Sequence, residues 1–97
     1  MRPYRFQAGA ADEAAAAAEY YDRRRIGLGS EFLTDLEECL RIAREFPEAG
    51  RPYELSSRRL LFHRYPFALI YTVDRNGIEI VAIAHERQEP GYWRTRL

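Results

Sequence analysis

Four arginines, one histidine and two aromatic residues are the side chains of this 97-residue sequence best suited to chemistry: Arg58, Arg59, Arg64, Arg87, His85, Tyr92 and Trp93. Each guanidinium is a planar fork that grips phosphate or carboxylate through two hydrogen bonds. His85 and Tyr92 carry protons of the kind used in acid–base work. Arg58 and Arg59 fall in one strand-like run, Arg64 at the turn after it, and His85 and Arg87 at the end of the last such run. If those runs pair in sequence order, some of these side chains converge on one basic rim beside Tyr92 and Trp93. A plain structural reading stands beside this one for each residue. Arginine on a solvent-facing strand is commonly solvated or in a weak surface ion pair. His85 and His63 can each simply hydrogen-bond the fold together, and Tyr92 and Trp93 can plug a sheet edge instead of stacking on a base.

Other chemistries find no support. The sequence has no phosphate-binding glycine loop, no metal-binding histidine pair and no nucleophile elbow. Cys39 is the only cysteine, so no intramolecular disulfide can form and a zinc site would lack thiolates. It falls on an apolar helical stripe, where an inert core thiol is the default. Asp12, Glu13, Glu37 and Glu38 stand beside arginines on helices and read as solvated faces. No metal and no cofactor is expected. The zero net charge hides a polarity: residues 1–50 hold seven arginines against ten acidic residues, and residues 51–97 eight against five. All the basic residues are arginine.

The elements that must position these residues follow from periodicity. Tyr4 to Gln7 alternates as a short strand. A helix is expected from about Ala10 to Arg25, with a face of alanines and Tyr20 or Tyr21 that something must pack against closely; Gly27 and Gly29 stop it. Ser30 reads as the N-cap of a second helix carrying Phe32, Leu33, Leu36, Cys39, Leu40 and Ala43 at three- and four-residue spacing, ended by Pro47. The short link makes the two an antiparallel hairpin. Strand-like runs follow at about Tyr53 to His63, Phe67 to Val73 and Ile78 to His85, with Asn76-Gly77 a strong hairpin turn. Strict alternation places Ile78, Ile80, Ala82 and Ala84 on one face of the last strand and Val81, Ile83, His85 and Arg87 on the other. The expected fold is α+β: an N-terminal strand, then a helical hairpin packed on one face of a mainly antiparallel sheet, in the order β-α-α-β-β-β, as a single domain over 1–97.

Ala14 to Ala18 and Phe67 to Val73 are far short of the roughly 20 apolar residues that cross a bilayer, and the N-terminus has no uninterrupted apolar signal core. A cytoplasmic location is expected, without membrane association.

Across nearly its whole length the sequence resembles the RelE/ParE toxin superfamily. Tyr20-Tyr21 closes the Ala-rich helix, and Gly29-Ser30-Glu31-Phe32-Leu33 with Phe46-Pro47 marks the second helix. Arg58-Arg59-Leu60-Leu61 and Tyr65-Pro66-Phe67-Ala68-Leu69-Ile70-Tyr71 mark the central strands. The ending, Ile83 through His85, Arg87, Pro90 and Tyr92-Trp93, is similar to the ParE-like branch, although Gln88 stands where that branch has a second arginine. The resemblance implies the toxin of a type II toxin–antitoxin, plasmid-stabilising system, which poisons DNA gyrase by binding and is neutralised by an antitoxin in a hetero-oligomer. It places target contacts at Arg58, Arg59, Arg64, His85, Arg87, Tyr92 and Trp93. Antitoxin contacts fall at Tyr20, Tyr21, Leu36, Val81 and Ile83, on the alanine-lined groove and an open sheet face. A RelE-like endoribonuclease acting on ribosome-bound mRNA is the alternative. It would work without metal, with Arg59 or Arg87 holding phosphate and His85 or Tyr92 moving protons. A non-toxic partner-binding module of the same fold is a third reading.

Overall fold

The computed structural model describes residues 1–97. Its elements are β1 (Tyr4–Phe6), α1 (Ala8–Arg24), α2 (Leu28–Glu45), β2 (Arg51–Pro52), β3 (Arg58–Leu61), β4 (Phe67–Asp74), β5 (Gly77–His85) and a 3-10 turn at Arg94–Arg96. The five strands form one sheet in the order β1-β5-β4-β3-β2, with β1 parallel to β5 and every other pair antiparallel. The expected α+β arrangement is therefore present. No helix is long and apolar enough to cross a membrane.

The alanine face of α1 has the close neighbour it requires. Ala10 and Ala14 are buried against α2 and the sheet, and a Cβ on Gly29 would come within 2.5 Å of the Ala18 carbonyl oxygen. The second helix starts at Leu28, two residues before the expected Ser30 cap. Gly27 takes the cap position with φ +97°, and Asp22 of α1 accepts from the Gly27 and Gly29 N–H groups at 3.1 and 2.9 Å. A carboxylate from the preceding helix thus meets orphan donors that Ser30 was expected to meet.

The expected strand at Tyr53 to His63 is two strands. The chain turns at Leu55, whose φ of 59° lies in the left-handed region, and Tyr53 N–H and Ser57 C=O close the loop at 2.9 Å. The Asn76-Gly77 hairpin forms: Arg75 and Asn76 make the turn, and Gly77, with φ +127°, opens β5.

Strict alternation fails in β5. The register slips between Ile70 and Tyr71, whose partners are Ala82 and Ile80, leaving Val81 as the extra residue. This bulge turns the second half of the strand over. Ile78, Ile80 and Ile83 now share the helix-facing core with Phe32, Leu36, Leu69 and Tyr71. Val81 and Ala82 join Ala68, Ile70 and Trp93 in a second cluster on the opposite face, with Ala84 packed against it. The open sheet face expected to display Val81 and Ile83 is therefore absent: they are 0% and 1% exposed.

Candidate functional site

Only some of the expected residues meet: Arg59, His85, Tyr92 and Trp93 line one small pocket of about 90 Å³, and Arg58, Arg64 and Arg87 do not join them. Arg58 pairs with Tyr71 and Arg59 with Ile70, so the two arginines point to opposite faces of the sheet. Arg58, on the helix side, donates to the Gly50 carbonyl at 2.7 Å and the Glu48 carbonyl at 3.5 Å, clasping the loop after α2. Tyr71 holds the same loop, its hydroxyl donating to Pro47 C=O at 2.7 Å and accepting from Gly50 N–H at 2.9 Å. The expected target contact at Arg58 is thus a structural brace.

Arg59 lies on the opposite face, its guanidinium carbon 5.7 Å from the centre of the Tyr53 ring, which in turn lies 5.9 Å from Trp93. Trp93 is 1% exposed and fills the second cluster, so it is a plug under the sheet and offers no free ring face. Tyr92 is also committed. Its hydroxyl donates to Glu13 at 2.7 Å, and burial first, then the Glu13 carboxylate, raises its pKa well above the usual phenol range. A phenol held so firmly in its protonated form is a poor proton carrier at neutral pH.

His85 faces the helices, its ring edge-on to Phe67 with centroids 5.0 Å apart. Its Nδ1 accepts from the Arg87 backbone N–H at 3.0 Å, and the His85 backbone N–H donates to Gln88 Oε1 at 2.8 Å. Gln88, where the resemblance led to an expected second arginine, serves as an acceptor that fastens the turn after β5. Arg87 is exposed. Arg64 lies at the far end of the β3–β4 hairpin, 3.8 Å from Glu31.

His85 and Gln88 also line an open groove of about 640 Å³ between α1 and the end of β5, with Ala16, Ala17, Tyr20, Tyr21 and Phe67 on its walls. Ile83 is part of its floor. Tyr20 is 47% exposed, while Tyr21 packs edge-on against Tyr65 at 4.8 Å and in a stacked manner on Phe32 at 5.7 Å. Burial, ahead of the neighbouring tyrosines, raises the pKa of Tyr21. Leu36 lies beneath this layer, 5% exposed, and belongs to the core.

Two carboxylates that position everything above were not singled out from sequence. Asp35, 6% exposed on α2, accepts from the backbone N–H groups of His63, Arg64 and Tyr65 at 3.2, 2.8 and 2.9 Å and so shapes the hairpin. Glu13, expected on a solvated face, is a hub. It accepts from the Ile83 N–H at 3.0 Å, from the Tyr92 hydroxyl and from both terminal nitrogens of Arg96 at 3.0 and 3.1 Å. A signal existed for each. Asp35 interrupts the stripe of Phe32, Leu36 and Cys39, and Glu13 stands three residues after Ala10 and four before Ala17, on the buried side of α1.

Cys39 is inert as expected: burial pushes its thiol up to about 12. No group of three or more His, Cys, Asp or Glu side chains is placed to hold a metal ion.

Against known proteins, residues 4–90 match the family model described as ParE toxin of type II toxin-antitoxin system, parDE. Among solved structures the chain is similar to the chromosomal ParDE TA system from P. aeruginosa, at 24% identity and a TM-score of 0.78, covering 88% of this chain and 96% of the other. That likeness speaks to the fold. Comparison with curated proteins returns no match.

Proposed function

The chain belongs to the ParE toxin family of type II toxin–antitoxin systems, and from that premise we propose that residues 1–97 act as one cytoplasmic toxin domain that stalls DNA gyrase by binding it. The observation that carries a binding mode is the commitment of the groups that catalysis would need to contacts within the fold. A general base, a phosphate clamp and an acid must be free within hydrogen-bond reach of one phosphodiester; Arg59, His85 and Tyr92 line one small pocket of about 90 Å³, but the Tyr92 hydroxyl and His85 Nδ1 there are already taken by the fold. Contacts to gyrase are assigned to the solvent-facing Arg59, Arg64 and Arg87, with His85 at the groove mouth.

Neutralisation is assigned to an antitoxin whose amphipathic helix fills the groove walled by Ala16, Ala17, Tyr20 and Tyr21. Tyrosines suit such a seat because each offers an apolar ring and a polar rim.

A supercoiling assay with purified chain, gyrase, ATP and relaxed plasmid tests the reading. Linear DNA trapped by the chain, and released when the antitoxin is added, is the expected result. Unaffected gyrase together with cleavage of mRNA on ribosomes would replace it with the endoribonuclease reading.

A further inference from the structure

Hydrogen-bond accounting along the two edges of the sheet shows one closed and one open. Along the β1–β5 edge four backbone groups after β1 ends are covered: Gln7 N–H bonds Ile80 C=O at 2.9 Å, Arg96 donates to Val81 C=O at 3.0 Å, Ile83 N–H meets Glu13, and His85 N–H meets Gln88. No strand can add there without dismantling these contacts.

The opposite edge differs. Strand β2 covers only Arg58 and Arg59 of β3. Phe62 N–H bonds Phe67 C=O at 2.9 Å, so by alternation the Leu61 N–H points away from β4. Its register partner would be Ala49, but the Ala49 N–H is turned to Phe46 C=O at 2.8 Å, and the Leu61 N–H has no partner in the chain. The Leu61 carbonyl has only the Cys39 thiol, a weak donor, at 3.8 Å. The Leu61 residue itself is 58% exposed. Beside it, Arg51 and Arg59 stand directly opposite each other across β2 and β3, and neither takes part in an ion pair. Like charges in register oppose pairing, and an unpaired edge invites another chain. Arg51, Arg59, Leu60 and Leu61 together line an open groove of about 320 Å³ with Ala49.

We infer that the outer edge of β3 at Leu61 is the seat of an extended, acidic segment of the antitoxin. This segment adds a strand to the sheet and places a carboxylate between Arg51 and Arg59. The inference rests on the antitoxin partnership proposed above. A peptide fits better than a nucleic-acid backbone, because the site offers a backbone donor and an apolar side chain as well as two guanidiniums. Charge complementarity fixes the sign of the occupant: the two arginines have no counter-ion of their own, and the half of the chain that supplies them carries the excess of base.

The test is titration of the full-length antitoxin against the wild-type chain and against R51E/R59E and R51A/R59A, with circular dichroism confirming that each variant folds. Amide hydrogen exchange at Leu61 is measured with and without antitoxin. The charge-reversed variant is expected to bind about 10- to 100-fold more weakly, the alanine variant to fall between, and the Leu61 amide to become protected in the complex. Wild-type affinity in both variants with an unprotected Leu61 amide overturns the site while leaving the partnership standing. Absence of any binding by the wild-type chain overturns the partnership and the site with it. Unchanged antitoxin binding alongside lost binding of a short single-stranded oligonucleotide would make the arginine pair a phosphate site and reject the peptide.

Discussion

The two edges of the sheet handle the same problem in opposite ways. At β5 the outward backbone groups are met by side chains brought from distant parts of the sequence, Glu13 from α1 and Arg96 and Gln88 from the C-terminal tail. At β3 the paired strand is only two residues long and sets Arg51 opposite Arg59 with no ion pair for either, and beyond it Leu61 faces solvent. The closed edge spends its charges on the fold, with Arg96 and Glu13 about three-quarters buried. The open edge keeps its charges free. The residues available to partners are those the fold has left unmatched, and here they lie on β3 and in the α1 groove.

Trp93→Ala should break the closed side most severely. Emptying the second cluster under β4 and β5 is expected to remove about 3–5 kcal/mol of stability, read as a lower midpoint in urea unfolding; a loss under about 1 kcal/mol would mean the tail is not part of the core. Glu13→Ala comes next, at about 2–4 kcal/mol, because it strands a largely buried arginine and uncaps Ile83. Glu13→Gln keeps an acceptor for Ile83 N–H and should recover part of that loss, and equal destabilisation by both would show that the charge alone matters. On the open edge, Arg59→Ala should change stability by less than about 0.5 kcal/mol, since it also relieves repulsion with Arg51. A loss comparable to that of Glu13→Ala would erase the contrast between the edges.

The smallest effect concerns Cys39, whose thiol lies under the open edge, 3.6 Å from Leu60 C=O. Iodoacetamide should leave the native chain unlabelled at pH 8 and modify it in denaturant; rapid native labelling would show that the edge opens through to the core. The thiol pKa is raised from 9.0 to about 12 in the folded chain. The folded state therefore holds that proton more tightly, and its contribution to stability is whole below pH 9 and lost as pH rises towards 12. Alkaline unfolding should begin in that window, with Tyr21, Tyr71 and Tyr92 shifted in the same direction.

Much of this architecture was legible before any coordinates. The helix propensity of the Ala-rich run marked the first helix, periodic apolar spacing marked the second, the Asn76-Gly77 turn marked the β4–β5 hairpin, and the order of elements with the Tyr92-Trp93 ending pointed to the superfamily. These signals are local, because a helix stripe or a tight turn is written in residues that are neighbours in sequence. The faces were not legible. One extra residue at Val81 reverses the second half of β5, so Val81 and Ile83 went from an expected open surface into two separate cores.

By itself the sequence determined the two helices, the β4–β5 hairpin, their order along the chain, and the chemistry available in its arginines and tyrosines. The tertiary structure alone decided which of those groups are free. Glu13 and Asp35 are ordinary helical acids until they meet backbone donors 70 and 28–30 residues away. Whether a charge serves the fold or a partner depends on such long-range neighbours, which no local pattern records.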